Sequence, residues 1–389
     1  MGEAGGDPDA VGFGRGRRRG AAAAAAGAQL GMSFRQAFEG ALLEILRTRD
    51  LVAVAVISVL FYAFYYPAPY AHQVVERLPI VVVDADRSAV SRAIVRNLGA
   101  AHEVVIAANV SDMVAARALV RNRQAEGILL IPHDLGSAVI EGRPGGGIAV
   151  WLNGAYLLRA EAVGKTVGAA IGATLEGRLS GLAESVAVPV TPVVTRPLFN
   201  TTEGYRDYIF PAVANIILQQ TLLFSVARLI AERRRNGRWQ RGMFLGVWAA
   251  CTTIGTLGAL FYFGLIYWLQ DIPHGGNIPA LLLTGPLFAA TVSALALTIG
   301  SMVRSGDDAL KLLIPTSIPF VFLSGFAWPL FAMPGWVQVI AWMIPVTPAT
   351  HIFVPLNQMG ASLGEVRGAV AILVVQLAVF GSVARYRLR

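Results

Sequence analysis

The run LVAVAVISVLFYAFYY, residues 51–66, decides the fold because it contains no charged side chain and is followed by a long stretch of mixed polar character. A bilayer core about 30 Å thick requires roughly 20 predominantly apolar residues in a helix. Flanking arginines can extend their side chains to the interface, and the tyrosines that end the run can lie there. This slightly short run therefore still predicts a first transmembrane helix over residues 51–66.

Five further apolar runs predict five further spans. Their only charged residue is Arg228, and the runs are Tyr208–Ile230, Phe244–Leu269, Ile278–Met302, Leu312–Phe331 and Gly368–Val383. The composition agrees, since 55% of the 389 residues are hydrophobic and 14% are charged, which is too apolar for an ordinary soluble domain. We therefore predict a polytopic α-helical membrane protein with six transmembrane helices, the last five of them within residues 207–389.

The arginines predict the orientation of the spans. Segments rich in Lys and Arg face the cytoplasm, and six spans place the basic N-terminal tail, segment 228–242 and the basic C-terminal residues on one side. The segments Gln270–Asn277 and Ala332–Glu365 on the other side contain neither Lys nor Arg. Both termini are therefore predicted to be cytoplasmic. The arginines that give the formal net charge of +8 lie next to spans, as topology signals do, which argues against nucleic acid as a partner.

Residues 1–32 are rich in Gly, Ala and Arg without periodicity, which predicts a disordered cytoplasmic tail. A signal peptide built on Arg17–Arg19 and Ala21–Ala26 is the alternative, although alanine makes a poor apolar core. Residues 33–50 predict an amphipathic elbow helix with a capping box at Ser33 and Gln36. Its apolar face contains Phe34, Phe38, Ala41, Leu42, Ile45 and Leu46, and its polar face contains Arg35, Glu39, Glu44 and Arg47. We expect it in the headgroup plane, and a soluble helix that packs on its own protein is the alternative.

Residues 67–206 predict an inserted α/β extracytoplasmic domain, because strand and helix patterns alternate along them and long segments translocate largely regardless of charge. Strands are predicted at Pro79–Val83, Glu103–Ala107, Gly127–Ile131 and Ile148–Leu152, and helices at Ser88–Leu98, Ser111–Asn122 and Tyr156–Val186. The last helix has glycines four residues apart, which permit close approach of another helix. Glu161 and Lys165 argue against the alternative that this helix is a seventh span.

The residues predict no catalytic site and no metal site. Gly164-Lys165-Thr166 is similar to the end of a phosphate-binding loop, but the glycine required five positions earlier is Arg159, and the local pattern is helical. The histidines are scattered without metal-ligand spacing, and Cys251 lies in an apolar run. The spans contain no paired carboxylates, which argues against a proton-driven carrier. No cofactor is expected in this chain, and if the chain takes part in transport that uses ATP, another polypeptide must bind the ATP.

Two segments are candidates for function. Segment 228–242 is predicted to be a highly charged cytoplasmic loop between two spans, and its charged residues include Glu232, Arg233, Arg234, Arg235 and Arg238. A solvated loop that obeys the positive-inside rule is the alternative. In segment 332–366, proline and glycine interrupt a hydrophobic stretch too short for another pair of spans, which predicts a re-entrant outer segment. An interfacial loop anchored by Trp328, Trp336 and Trp342 is the alternative.

Several stretches resemble the permease subunit of ABC-2 type exporters, in the subfamily with a large external domain after the first span. The resemblance covers roughly Ser33 to the C-terminus and is carried by Val82-Val83-Asp84-Ala85-Asp86-Arg87-Ser88, Asp207-Tyr208-Ile209-Phe210-Pro211 and the stretch from Ser324 to Pro348. The residues that the resemblance marks as structural are Asn200, Pro211, Gly325, Pro329, Pro334, Pro345 and Pro348. Thr201 and Ala212 depart from the family pattern, and Glu232 lacks the usual Glu-Gly-Thr continuation.

The resemblance implies a membrane-spanning subunit that moves a hydrophobic or amphipathic substrate, such as a drug, lipid or polymer, out of the cytoplasm across a bacterial inner membrane. It also implies that a separate ABC ATPase subunit binds ATP and Mg²⁺ and that a second permease completes a homodimer or heterodimer. By the same resemblance, segment 228–242 would be the coupling loop that contacts this ATPase, and its coupling candidates are Glu232, Arg233, Arg234, Arg235 and Arg238. Membrane lipid and a periplasmic adaptor are further expected partners. The alternative from another class is a membrane-anchored receptor or assembly factor, whose external domain binds a ligand or partner without an ATPase.

Overall fold

The computed structural model describes residues 32–70, 77–141, 147–152, 157–179, 204–240, 242–274 and 276–389. The chain divides into two compact units. One is helical and consists mainly of the residues up to 71 and from 206 onward, and the other, the middle unit, consists mainly of residues 72–197. The predicted tail, apart from its last residue, and the signature residue Asn200 lie outside the described residues.

The helical unit begins with the elbow helix α1, Phe34–Arg47. The predicted capping box is confirmed: the Ser33 hydroxyl accepts a hydrogen bond from the Gln36 backbone N–H at 3.3 Å, and the Gln36 side chain accepts one from the Ser33 N–H at 3.1 Å. These bonds satisfy two backbone donors that the first turn of a helix would otherwise leave without partners.

The buried face of α1 is narrower than predicted. Ala37, Ala41 and Ile45 are buried, whereas Phe34 and Leu46 are about half exposed. Small residues dominate this face because α1 packs closely against the later helix that contains Gly246, where an added Cβ would lie 2.6 Å from the Ala37 Cβ. Close approach therefore limits which side chains can be buried there.

The first span, α2, runs from Arg49 to Tyr70 and includes a π-helical stretch at Ala53–Ile57. Its 22 residues extend about 33 Å at 1.5 Å per residue, enough to cross the apolar core of a bilayer. The side chains that face the rest of the unit are four residues apart and buried, namely Leu51, Ala55, Val59 and Ala63. Aromatic side chains on the other faces are exposed.

The middle unit contains a four-stranded sheet and four helices among its described residues: β1 Leu78–Asp84, α3 Ala89–Gly99, β2 Val104–Val110, α4 Met113–Arg121, β3 Gly127–Ile131, α5 Leu135–Glu141, β4 Ala149–Leu152 and α6 Leu157–Leu179. The strand order is β2-β1-β3-β4, in which β1 is parallel to β2 and β3, and β4 is antiparallel to β3. Each predicted strand coincides with one of these strands. The last residues of the predicted long helix, 180–186, lie outside the described residues.

Side chains of β1 alternate between two cores, which explains its continuous β-branched sequence. Ile80 and Val82 pack in one core with residues of α3 and α6. Val81 and Val83 pack in the other core with Ala116 of α4. The sheet is therefore covered by helices on both faces.

The rest of the helical unit consists of α7 Tyr205–Arg235, α8 Met243–Leu269, α9 Ile278–Met302, α10 Gly306–Leu313, α11 Ser317–Leu323, α12 Gly335–Trp342, α13 Val346–Gln358 and α14 Arg367–Arg387. The most apolar part of α7 is 89% buried, compared with 17% for α14 and 28% for α2. The helix α7 is therefore the central helix of this unit, and α2 and α14 present most of their surface outward.

Among the described residues, five helices are long and apolar enough to cross a membrane, namely α2, α7, α8, α9 and α14. The pair of α12 and α13, bent by 78°, would make a sixth if it is counted as one span. The bounds predicted for the fifth span, Leu312–Phe331, are wrong. The helical segment begins at Gly306 and ends at Leu323, and residues 324–331 form turns. The apolar residues 312–323 extend only about 18 Å, because Gly325 adopts a φ of +79° and ends the helix.

Candidate functional site

The ends of several helices meet at one end of the helical unit, where many of the arginines also lie. This inner end is formed by α1, residues 228–240, residues 301–311 and the last residues of α14. The Trp239 indole N–H donates a hydrogen bond to the Leu388 carbonyl at 2.8 Å, and Arg228 Nη2 donates one to Asp50 Oδ2 at 2.7 Å. The segments that the arginine pattern assigns to one side of the membrane therefore contact one another.

The segment predicted as a loop from residue 228 is helical as far as Arg235, so that part of the prediction is wrong. The helix ends because Gly237 adopts a φ of +65°. The N–H groups of Gly237 and Arg238 donate to the carbonyls of Arg234 and Arg233 at 3.1 and 2.8 Å, which is the hydrogen-bond pattern of a Schellman motif. Nothing before Gly237 breaks the helix, since arginine and glutamate are good helix formers.

Arg233 lies inside the protein and binds α1. Its side chain is 5% exposed, and its Nε and Nη2 atoms each lie 2.8 Å from Glu44 Oε2. Arg238 Nη2 lies 3.1 Å from the other oxygen of the same carboxylate. Glu44 was expected on the exposed face of α1, but its side chain is only 19% exposed. Glu44 therefore provides the compensating charge for a buried guanidinium, whose Nη1 has no hydrogen-bond partner among the described residues.

Glu232 binds the start of α10. Its Oε1 accepts a hydrogen bond from the Gly306 N–H at 3.0 Å, and its Oε2 lies 2.8 Å from Arg235 Nη2. A carboxylate at this position satisfies a backbone donor of the first turn and interacts favourably with the helix dipole. Any residue other than glycine at position 306 would overlap α7, because an added Cβ would lie 2.6 Å from Arg228 Cγ. Arg228 in turn lies 3.5 Å from Asp307, which brings α2, α7 and α10 together.

The structure thus divides the five coupling candidates into two groups. Glu232 and Arg233 bind other elements of the same chain. Arg235 and Arg238 have side chains that are 56% exposed, and Arg234 is exposed although it donates to the Ser301 carbonyl. These three arginines are the most exposed of the five candidates, although Arg238 also binds Glu44 of α1. On the exposed side of α1, the hydrogen bond and charge of Glu39 raise the pKa of Arg35 above its ordinary value.

Of the signature residues, Pro211 and Gly325 lie near the opposite, outer end of the helical unit. Pro211 is buried in α7, and the neighbouring Tyr208 hydroxyl donates a hydrogen bond to the Phe326 carbonyl at 3.3 Å, with the two rings 4.5 Å apart. Gly325 has the left-handed backbone that favours glycine, and an added Cβ would lie 2.7 Å from Leu330 Cγ. The beginning of α7 therefore packs against the turn that follows α11.

Prolines define the helices of the broken outer segment. Pro334 and Pro345 are the N-cap residues of α12 and α13, and Pro348 lies in the first turn of α13, where a missing N–H costs little. Pro329 is the N-cap residue of the short 3₁₀ turn Leu330–Ala332. The Thr347 hydroxyl donates to the Leu323 carbonyl at 2.9 Å and joins α13 to α11. The 78° bend fits a broken span as well as a re-entrant loop, so the re-entrant arrangement stays a prediction.

Beyond α13, the turn that leads into α14 is closed by Glu365. Its carboxylate accepts hydrogen bonds from the Ser362 N–H at 2.7 Å and from the Ser362 hydroxyl at 2.8 Å. The backbone bond and then the hydroxyl bond lower the pKa of Glu365, because both favour the charged form.

In the middle unit, the residues around Lys165 are helical, as their pattern predicts. Gly164, Lys165 and Thr166 lie within α6, and Lys165 Nζ is 3.5 Å from Glu161 Oε1 one turn away. A phosphate-binding loop would require these residues at the beginning of a helix. In the part of the chain that the structure describes, no three His, Cys, Asp or Glu side chains are grouped to hold a metal ion.

Residues 50–386 match the model of a family described as ABC-2 family transporter protein. The chain is 23% identical over 203 residues to the probable multidrug ABC transporter permease YbhR of Escherichia coli K12. This match covers 49% of this chain and 55% of that protein. It is 23% identical over 334 residues to the linearmycin resistance permease protein LnrN of Bacillus subtilis 168, which covers 78% of this chain and 86% of that protein. It is also 22% identical over 172 residues to the probable multidrug ABC transporter permease YbhS of Escherichia coli K12, covering 40% of this chain and 44% of that protein. The chain spans about half the length of these Escherichia coli relatives.

Proposed function

The chain belongs to the ABC-2 family of transporter proteins, and we propose that it is the membrane-spanning permease subunit of an ATP-driven exporter. The observation that carries this proposal is the family match, because it includes the first span, the middle unit and the remaining helices. The relatives are named for multidrug transport and for linearmycin resistance. We therefore propose that the substrate is hydrophobic or amphipathic, as a drug, a lipid or a polymer with apolar groups would be.

In the proposed topology, six spans cross a bacterial inner membrane with both termini in the cytoplasm, and the helical segment Gly306–Leu323 is the fifth of them. The arginines of the inner end support this orientation, since positive charge is retained on the cytoplasmic side. The middle unit is then extracytoplasmic, and segment 332–366 is the re-entrant outer segment. A long segment after the first span crosses the membrane largely regardless of its charge.

A separate ABC ATPase subunit would bind ATP and Mg²⁺ and contact the inner end. We propose that α1 and the exposed Arg234, Arg235 and Arg238 form this contact. Because Arg233 binds Glu44 of α1 and Glu232 binds the first turn of α10, a displacement of α1 would move the central helix α7 and then α10. Nucleotide binding would thereby favour one of two arrangements of the spans. A second permease subunit would complete the export path, and a periplasmic adaptor could extend it.

The contact is tested by ATP hydrolysis in nanodiscs that contain the full-length chain and its ATPase. The variant Arg234→Gln with Arg235→Gln and Arg238→Gln should hydrolyse ATP more slowly, while its melting temperature stays close to that of the unmodified chain. The matched control is Arg385→Gln with Arg387→Gln, since these exposed arginines lie at the end of α14. Equal hydrolysis by the triple variant and the unmodified complex would refute the proposed contact.

Copurification separates the exporter from the receptor alternative. An exporter should be isolated with an ATP-binding subunit in fixed stoichiometry. A single chain that binds an external ligand and has no such subunit would instead support a receptor or assembly factor.

A further inference from the structure

A cavity of about 350 Å³ lies between the second half of α8 and the first half of α9, near the outer end of the helical unit. Its volume is within the range of sites that bind small organic molecules. The walls are mainly apolar and include Leu260, Phe263 and Leu282, whereas His274 and Asn357 lie where the α8–α9 connection closes the cavity. The cavity therefore has mainly apolar walls and a polar end.

Two glycines line the cavity, and there is open space beside the backbone of each. A Cβ added at Gly264 would meet nothing within 4 Å, and one added at Gly285 would meet only the Ala259 Cβ, at 3.9 Å. Gly264 lies in the π-helical stretch Phe261–Ile266, a departure from the α-helix that often occurs at functional sites. Pro286 has no N–H to donate to the carbonyl one turn earlier. Both walls thus depart from regular helix packing at the same cavity.

The polar end contains hydrogen-bonding groups that the protein does not use fully. Asn357 is 2% exposed, and its Nδ2 has no acceptor among the described residues. His274 Nδ1 lies 2.7 Å from the Ile272 carbonyl, which can only accept, so this nitrogen carries the proton and Nε2 is an acceptor in the neutral ring. A buried amide donor without a partner is unusual in folded proteins. A ligand with an oxygen at this position would complete its hydrogen bonding.

We propose that this cavity binds an amphipathic molecule through one aliphatic chain and one hydroxyl, ester or amide head. The chain would lie between α8 and α9, and the head would accept from Asn357 Nδ2. Entry would be lateral from the bilayer, because Leu260 and Leu282 are 44% and 54% exposed on the outer surface of the helical unit. An acyl chain of a bilayer lipid and a single-chain amphiphile share this chemistry. The site does not depend on the proposed coupling to an ATPase.

Photolabelling of the full-length protein in nanodiscs tests the site. The probes are a phosphatidylglycerol with a diazirine in one acyl chain and a diazirine-bearing dodecanol, and labelled peptides are identified by mass spectrometry. We expect labelling within residues 256–264 and 278–286. Labelling by the phospholipid would identify a lipid site, and labelling by the alcohol alone would identify a site for single-chain amphiphiles. Labelling by neither probe would overturn the proposal.

Two variants separate a specific site from general lipid contact. Gly264→Leu should fill the cavity and reduce its labelling to that of the exposed face of α14. The control Gly368→Leu makes the same change at an exposed helical glycine with equally open space, and it should leave labelling unchanged. Asn357→Leu should weaken labelling by the alcohol but not by a diazirine-bearing dodecane, which has no head group. Equal labelling of Gly264→Leu and the unmodified protein would contradict the inference.

Discussion

Removing the Glu44 carboxylate should destabilise the inner end more than any loss of an exposed charge on the same helix. In Glu44→Ala, the Arg233 guanidinium stays buried, with a side chain only 5% exposed, and loses the oxygen 2.8 Å away that compensates its charge. Breaking a buried ion pair by removing one partner costs about 3–5 kcal/mol. Since Glu44 itself is 19% exposed, we expect the lower end, about 3 kcal/mol.

Thermal unfolding of the full-length chain measures this loss. A loss of 1 kcal/mol lowers the melting temperature of a unit of this size by about 2–4 °C, so Glu44→Ala should melt about 6–12 °C lower at a fixed scan rate. The control is Glu39→Ala, because Glu39 lies 2.7 Å from Arg35 in a pair whose side chains are 51% and 85% exposed. Such an exposed surface pair contributes little to stability, so Glu39→Ala should melt close to the unmodified chain.

A double variant tests whether the loss comes from the unpaired charge. Adding Arg233→Met to Glu44→Ala removes the buried guanidinium and should restore part of the lost stability, since replacing both members of a buried pair by apolar groups costs little. The reasoning is refuted if Glu44→Ala melts no lower than Glu39→Ala. It is also refuted if the double variant melts no higher than Glu44→Ala alone.

Three further predictions concern the helix contact, the outer turn and the turn before α14. Gly246→Val should separate α1 from α8 and lower the melting temperature, because an added Cβ would overlap α1. Gly381→Val, at a position with open space, should change the free energy of unfolding by less than about 1 kcal/mol. Gly325→Ala should cost about 1–2 kcal/mol in the same scans because of its φ of +79°, and an unchanged melting temperature would contradict that assignment. Glu365 should protonate below its ordinary pKa of 4.5 in a carboxyl carbon-13 NMR titration, so the turn is stabilised at neutral pH and that stabilisation is lost as the pH falls through the lowered pKa. Ser362→Ala, which retains the backbone bond, should raise this pKa only part of the way towards 4.5.

Features that depend on a few neighbouring residues could be predicted from the sequence. The capping box of Ser33 and Gln36 is local, and so are the apolar runs of α7, α8 and α9. The strands of the middle unit could also be located, because a parallel sheet covered on both faces requires continuous apolar β-branched runs such as Ile80–Val83.

Features that depend on distant contacts or on helix termination could not be predicted. Glu44 and Arg233 are 189 positions apart, so no local pattern shows that they form a buried pair. The charges of residues 232–235 favoured a loop, although charged side chains do not end a helix and Gly237 does. Hydropathy predicted a span at 312–331 because all of these residues are uncharged and mostly apolar, and hydropathy contains no information about where a helix ends.

The candidate cavity had no recognisable sequence signal either. Gly264 and Gly285 lie in different helices, and Asn357 lies in a third. A single glycine or asparagine in an apolar run is an ordinary occurrence, and only the fold brings these three residues to one cavity.

Site-specific photo-crosslinking in growing cells tests most directly whether the inner end is cytoplasmic and contacts a separate ATPase. The crosslinking amino acid replaces Arg235, whose side chain is 56% exposed, or Phe331 at the outer end, which is 87% exposed. Position 235 should capture a protein with a phosphate-binding loop that binds ATP, and position 331 should not. The account is contradicted if position 235 captures no ATP-binding protein, or if such a protein is captured from position 331 instead.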